Sequence, residues 1–422
     1  MQEINKNLCK VRTVTTFVSL SRDRSSWNEV IQQASDCCQQ ISDVLLNKQY
    51  CVQSIRIVTN PFGEYIRTQK IEDAREDLGY LRALLQSINA DSELRLRFAI
   101  GEARTLDEMQ LLPELIAEFG DLCNACVNIA MDENSILDNT MITASAGIVK
   151  RISEITPQGE GNFNFTVNFN CQPLIPYFPA SYHQKELGRQ VVIGLETPDL
   201  LVHELSNLNQ RFSASSAFDD QETLPKNHNS YYSECYSVMH SALQYVIDDV
   251  STIVSDMTLP HQFQFAGFDS SAAPSKDCAS MTDVYQQLGV EYFGASGTVE
   301  ASALLTRVFK SIQGVSLVGF SGLMLALTED RGLAAGSING DFDIRSLLTY
   351  SAVCGIGLDT VPVPGDITVE KLSALMRDTG TMAYRLNKPL TVRVFPVPGL
   401  QAGNITTFES EDLCNCAVLA VP

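Results

Sequence analysis

The chain has 422 residues, 45% hydrophobic and 19% charged, with 50 acidic against 30 basic residues and a formal net charge of −20. This is ordinary globular composition, enough for one large or two medium domains. It holds no block of Lys/Arg of the kind that neutralises phosphates, which argues against a nucleic-acid binder or an anionic membrane surface, and no apolar run of about 18 residues that would span a bilayer.

In chain order, the apolar spacing predicts a strand over 11–20 (VRTVTTFVSL). A helix follows over 26–46, where Trp27, Val30, Ile31, Ala34, Cys38, Ile41 and Leu45 recur at spacings of one, three or four. Strands at 51–60, 96–101, 125–131 and 164–170 alternate with helices at 71–89, 107–119 and 142–155. An aromatic- and proline-rich loop (172–183) leads to a strand at 189–196. The helical region 198–256 is broken by a polar stretch, 213–229, expected to be a mobile loop. Strands are expected at 261–269, within 315–327, at 390–397 and at 416–421, with helices at 281–288, 298–312, 342–352 and 367–386. About ten strands, most separated by a helix, define an α/β protein with a largely parallel sheet buried on both faces. With no composition break, residues 1–422 are read as one domain.

SAVCGIGLDTVPVPGD (351–366) carries the most specific candidate chemistry. Cys354 follows a helical pattern and precedes Gly355 and Gly357, where backbone can approach a ligand closely. Asp359 comes five residues later, and Pro362 and Pro364 stiffen the exit. A thiol there can serve as nucleophile, ligand or redox centre, or be packing in a tight turn. Asn168 and Asn170 alternate with Phe169, so both are expected on one strand face, where amides need partners. Glu196 and Asp269 end strands, where α/β folds place their sites, and both residue types also start helices. His183 closes the aromatic–proline loop; His203 and His240 lie on helical patterns.

No HxH or HExxH spacing exists, so a zinc site is not expected. The pairs Cys123/Cys126 and Cys414/Cys416 lie far apart and match no thiolate-metal pattern. GASGT (294–298) precedes a helix but lacks the lysine of a P-loop. The N-terminus, MQEINKNLCKVR, has no apolar signal core. The twelve cysteines are therefore read as reduced thiols of a cytoplasmic protein.

KVRTVTTFVSL, NFTVNFNCQPLIPYFPASYH, VVIGLE, GFSGLMLALTED and LLTYSAVCGIGLDTVPVPGD resemble the family catalogued as domain of unknown function 711, similar to uncharacterised protein family 0210. The resemblance runs from about residue 10 to 420. It implies a fold like that of glycyl-radical enzymes such as pyruvate formate-lyase: a single ten-stranded α/β barrel, helices outside, with a loop threading its centre. By motif position, Cys354 would occupy that loop. Two departures stand out. The C-terminal VRVFPVPGLQAGN does not fit the glycyl-radical motif, so no glycyl radical is expected, and Ser296 in GASGT replaces a histidine of the family pattern.

The sequence thus supports an enzyme acting on a small polar metabolite. Cys354 and Asp359 would be catalytic, and Asn168, Asn170, His183, Glu196 and Asp269 would bind substrate. The alternative is a non-catalytic ligand-binding or assembly protein on an inherited barrel. A small-molecule ligand and a homodimer partner are expected; a metal, nucleic acid and membrane are not.

Overall fold

The computed structural model describes residues 5–90, 92–216 and 228–422. Within them the apolar runs pair as nine strands: β1 (Lys10–Val18), β2 (Ser54–Thr59), β3 (Arg95–Glu102), β4 (Asn124–Ile129), β5 (Phe165–Phe169), β6 (Gln190–Glu196), β7 (Gln264–Asp269), β8 (Gly357–Pro364) and β9 (Leu390–Val397). One mixed sheet results, in the order β7-β6-β1-β2-β3-β4-β5-β9-β8. Strands β1 to β5 are mutually parallel. The pairs β6/β7 and β8/β9 are parallel within themselves and join this block antiparallel, β6 on β1 and β9 on β5.

Parallel neighbours need crossovers, and here these are helices. They are α1 (Trp27–Asn47), α2 (Ile71–Ile88), α3 (Leu106–Phe119) and α4 (Asn139–Ile155) in the first block, then α5 (Pro198–Ser216) and α6 (His228–Ser255) between β6 and β7. Between β7 and β8 come α7 (Met281–Gln287), α8 (Thr298–Lys310), α9 (Arg331–Asn339) and α10 (Ile344–Tyr350); α11 (Val369–Arg385) joins β8 to β9. Local chemistry fixes several starts. Thr105 and Glu108 form a capping box on α3, and Asp138 accepts from the Thr140 and Met141 amides to open α4. Among the described residues no helix is long and apolar enough to cross a membrane.

Alternation sorts each strand between two cores. Ile55 and Ile57 of β2 join the large core with Trp27, Ile31 and Leu45 of α1. Val58 of β2 faces the other way. With Phe17, Ala99 and Val192 it forms a separate cluster, against which Leu174 and Phe178 of the β5–β6 connection pack.

Eight of the ten expected strands are present, and one strand replaces the other two. The 315–327 stretch touches β7 and β8 through single backbone bridges, Phe268 with Leu317 and Ala326 with Asp359, without forming a strand. Residues 416–421 likewise contribute one bridge, Ala417 with Ile405. Strand β8 lies in the segment read as a proline-stiffened turn. It ends the strand order, where a missing proline N–H costs no ladder bond, and Leu419 N–H donates to the Pro362 carbonyl at 2.9 Å. Helix α9 was not anticipated; Asp330 caps it, and Gly340 in the left-handed region ends it. Of the stretch 213–229, residues 217–227 lie outside the described residues, while 213–216 and 228–229 are helical.

Candidate functional site

The face of the sheet away from the helices encloses the β5–β6 connection. Residues 171–183 touch strand after strand. Thr15 Oγ1 of β1 and Arg56 of β2 donate to the Pro176 carbonyl, each at 3.3 Å. Asn168 of β5 donates to the Ala180 carbonyl at 3.1 Å, and the Tyr177 hydroxyl donates to the Leu195 carbonyl of β6 at 3.1 Å. Ser181 Oγ closes the loop on itself, onto the Ile175 and Tyr177 carbonyls.

Beside this loop lies a cavity of about 120 Å³. One wall is cationic, and the strand period explains why. Arg56 and Arg97 are register partners on β2 and β3, each two residues before an inward apolar residue, Val58 and Ala99. Arg12 reaches the same wall because β1 carries an irregularity between Val11 and Thr13, where an extra residue re-aims a side chain. Arg393 of β9 and Lys276, after β7, complete the basic lining. Tyr177, Phe178, Phe320, Met324 and Ile356 supply apolar surface.

Three of these cations have carboxylates nearby. Arg393 donates to Asp359 at 2.6 Å and to Glu329 at 2.5 Å. Burial works against its charge, yet the two carboxylates outweigh it and hold Arg393 above its ordinary pKa. Burial pushes the Glu329 carboxyl up. Arg97 pairs with Asp412 at 2.8 Å. Arg12 lies 4.0 Å from Glu196, which Lys10 also holds at 3.0 Å.

Arg56 differs. It is 7% exposed, and among the described residues no carboxylate lies within ion-pair distance of it. One nitrogen donates to the Pro176 carbonyl, the guanidinium lies 5.0 Å from the Phe178 ring centre, and Nε has no hydrogen-bond partner among the described residues. Burial, then the Arg97 and Arg12 charges, depress its pKa. An unpaired charge inside a protein costs several kcal/mol of desolvation, on the order of the stability of many domains.

Of the residues singled out from sequence, only Asp359 lines this cavity. Cys354 is 1% exposed and belongs to the large core; the cavity takes Ile356 from its segment. The 171–183 connection, with Cys171, packs in one cluster with Ala273, Phe320, Met324 and Ile356, whereas Cys354, expected from motif position in the central loop, joins the large core. The turn around Cys354 is glycine-laced for packing. A Cβ on Gly355 would lie 2.8 Å from Gly322 backbone, and one on Gly357, at φ +97°, 2.5 Å from the Thr391 carbonyl oxygen. Lys388 Nζ caps this turn, donating to the Ser351, Ala352 and Cys354 carbonyls.

Asn168 and Asn170 do not share a face. Strand β5 ends at Phe169, and Asn170 turns off at φ +53° to meet Asn387. Asn168 instead links Ala180 to Asn128, which donates to Glu102 at 2.7 Å. His183 is buried near Phe17; its Nδ1 has no hydrogen-bond partner, and burial pushes its pKa down to about 4. Glu196 adjoins the cavity through Arg12. Asp269 is fully buried and accepts from Ser271 N–H and Oγ, Phe320 N–H and Ser321 N–H, which ties β7 to the 315–327 stretch. Burial raises its pKa to about 6, against those four donors.

The basic wall is absent from the candidates drawn from sequence, because the search for cations looked for a block. The arginines are spread over four strands, in KVRTV, SIRIV, LRLRF and TVRVF, with two in the third. A lone charge at an inward position of an apolar strand is the readable signal. Among the described residues no group of three or more His, Cys, Asp or Glu is placed to hold a metal ion.

Comparison with known proteins places these features in a family setting. A family model described as Uncharacterised ACR (DUF711) matches residues 2–410. A UPF0210 protein of Clostridium botulinum (strain Alaska E43 / Type E3) is 23% identical over 382 residues, covering 86% of this chain and 77% of its own. One of Desulfovibrio desulfuricans is 24% identical over 449 residues, covering 98% and 91%. Among solved structures, the anaerobic ribonucleotide reductase from Thermotoga maritima is similar at a TM-score of 0.41 and 8% identity, covering 92% of this chain and 83% of that one.

Proposed function

The chain belongs to the Uncharacterised ACR (DUF711) family, and for this member we propose that the interior cavity binds a small anionic metabolite. One observation carries the reading. Arg56 is a buried guanidinium without a carboxylate partner among the described residues, on a cavity wall shared with Arg12 and Arg97. A native fold keeps a buried charge when something pairs with it, and an anionic ligand supplies that pair. About 120 Å³ holds on the order of ten water-sized groups, which suits a metabolite and excludes a polymer.

In this reading the sheet closes into the barrel that the family resemblance implies, with 315–327 standing in for the tenth strand. Its single bridges to β7 and to β8 support that closure. Binding is the activity the cavity supports best. Two of its carboxylates, Asp359 and Glu329, are engaged by Arg393, and among the described residues no thiol lines it. Thiol chemistry at Cys354 would then run apart from this ligand, and Cys354→Ala would leave ligand binding intact.

The test is chemical unfolding with and without a panel of small carboxylates and phosphates at millimolar concentration. A ligand bound only by the native state raises stability by RT ln(1 + [L]/Kd). At least one anion is expected to raise the midpoint of the unaltered chain and to leave Arg56→Met unmoved. Equal shifts in both proteins, or none in either, would overturn the reading.

A further inference from the structure

Resting on that anion reading, we propose that the occupant carries a single negative charge on a carboxylate and is otherwise uncharged. The charges around the cavity point to this. Its lining has five basic and four acidic side chains. Arg393 already faces two carboxylates and Arg97 one, while Lys10 and Arg12 stand against Glu196 and Asp199 at 3.0 to 4.0 Å. Arg56 is the deeply buried cation left over, and one negative charge balances it.

A second negative charge would share the cavity with Asp359 and Glu329, and like charges in a poorly solvated site repel strongly. Among the described residues, the helices that start close in sequence to the lining, α7 and α9, are both capped already, so neither offers the free N-terminus that phosphates commonly use. Helix α9 starts directly after the Glu329–Asp330 pair, and Asp330 already accepts from its Gly332 and Leu333 amides at 2.9 and 3.1 Å. A planar carboxylate matches a guanidinium fork instead. Phe178, Phe320, Met324 and Ile356 offer the rest of the molecule an apolar bed.

Calorimetric titration of the full chain with butyrate, benzoate, succinate and inorganic phosphate tests this, with benzamide as the neutral counterpart of benzoate. Butyrate or benzoate should bind at least about tenfold more tightly than succinate, phosphate or benzamide. Arg56→Met should lose that binding, and Arg56→Lys, which keeps the charge without the fork, should recover part of it. Tighter binding of phosphate or succinate, lost in Arg56→Met, would overturn the monocarboxylate inference and leave the anion reading standing. Absence of binding by all three anion types, or binding unchanged by Arg56→Met, would overturn both.

Discussion

Arg56 and Arg97 are partners in the parallel register of β2 and β3, yet only Arg97 has a carboxylate, Asp412, to answer its charge. Two adjacent strands thus deliver the same side chain to the same wall, one electrostatically complete and one open.

The open one makes the empty protein less stable than its fold allows. Arg56→Met keeps much of the side-chain length and removes an unpaired buried charge. It is expected to raise unfolding free energy in ligand-free buffer by on the order of 1–3 kcal/mol, read from the urea midpoint at constant m. The corresponding change at Arg393, which would strand both Asp359 and Glu329, is expected to destabilise by about 3–5 kcal/mol. Opposite signs for two arginines of one cavity separate a ligand-awaiting charge from a structural one.

Asp269 gives a pH signature. Its folded pKa, about 6, lies above the ordinary carboxylate value, so the native state binds its proton more tightly than the unfolded chain. Its titration therefore favours folding at acid pH, and that contribution falls as pH rises from about 4 through 6. Asp269→Asn removes the titration and presents an amide donor toward donors that the carboxylate now accepts from, Phe320 N–H among them. The variant is expected to be less stable throughout. Its deficit should shrink by on the order of 2 kcal/mol between pH 4.5 and 7.5, measured by urea unfolding at both ends.

Gly357 tests whether the turn after Cys354 is built for packing. A methyl group there would adopt φ +97° and press on the Thr391 carbonyl oxygen, part of the β8–β9 ladder. Gly357→Ala is expected to cost about 2–4 kcal/mol in unfolding free energy, since neither backbone can yield without losing ladder bonds.

Thiol accessibility tests the same segment independently. All twelve cysteines are free; Cys51 is exposed and Cys354 is buried. Alkylation of the native protein, read by peptide mass spectrometry, should label Cys51 within minutes and Cys354 only under denaturing conditions. Rapid labelling of Cys354 in the native state would return the catalytic-thiol reading to first place.

The sequence made the sheet legible wherever a strand was an uninterrupted apolar run between helices, as at SIRIVT and VVIGLE, because burial on both faces writes itself into composition. It hid β8, whose prolines argue against a strand until its place at the end of the sheet is known. It suggested a strand at 315–327, where Asp269 draws the backbone amides of Phe320 and Ser321 out of any ladder. The candidate site was legible only in Asp359. Carboxylates and cysteines attract attention as reactive groups, whereas the basic wall exists only once strands 40 residues apart are laid side by side. Asn170 shows the limit of period-two reasoning: a single left-handed residue at a strand end cancels the face that alternation assigns.

The enclosed 171–183 connection has a consequence for traffic. Leu174 and Phe178 pack against Phe17, Val58, Ala99 and Val192, while Lys276, Asp277 and Asp412 bring partly or fully exposed charges to the cavity lining. If the sheet closes as proposed, those exposed charges mark the way in, and an occupant would enter and leave past the same side chains. A departing molecule would then have to clear them before its replacement could pass.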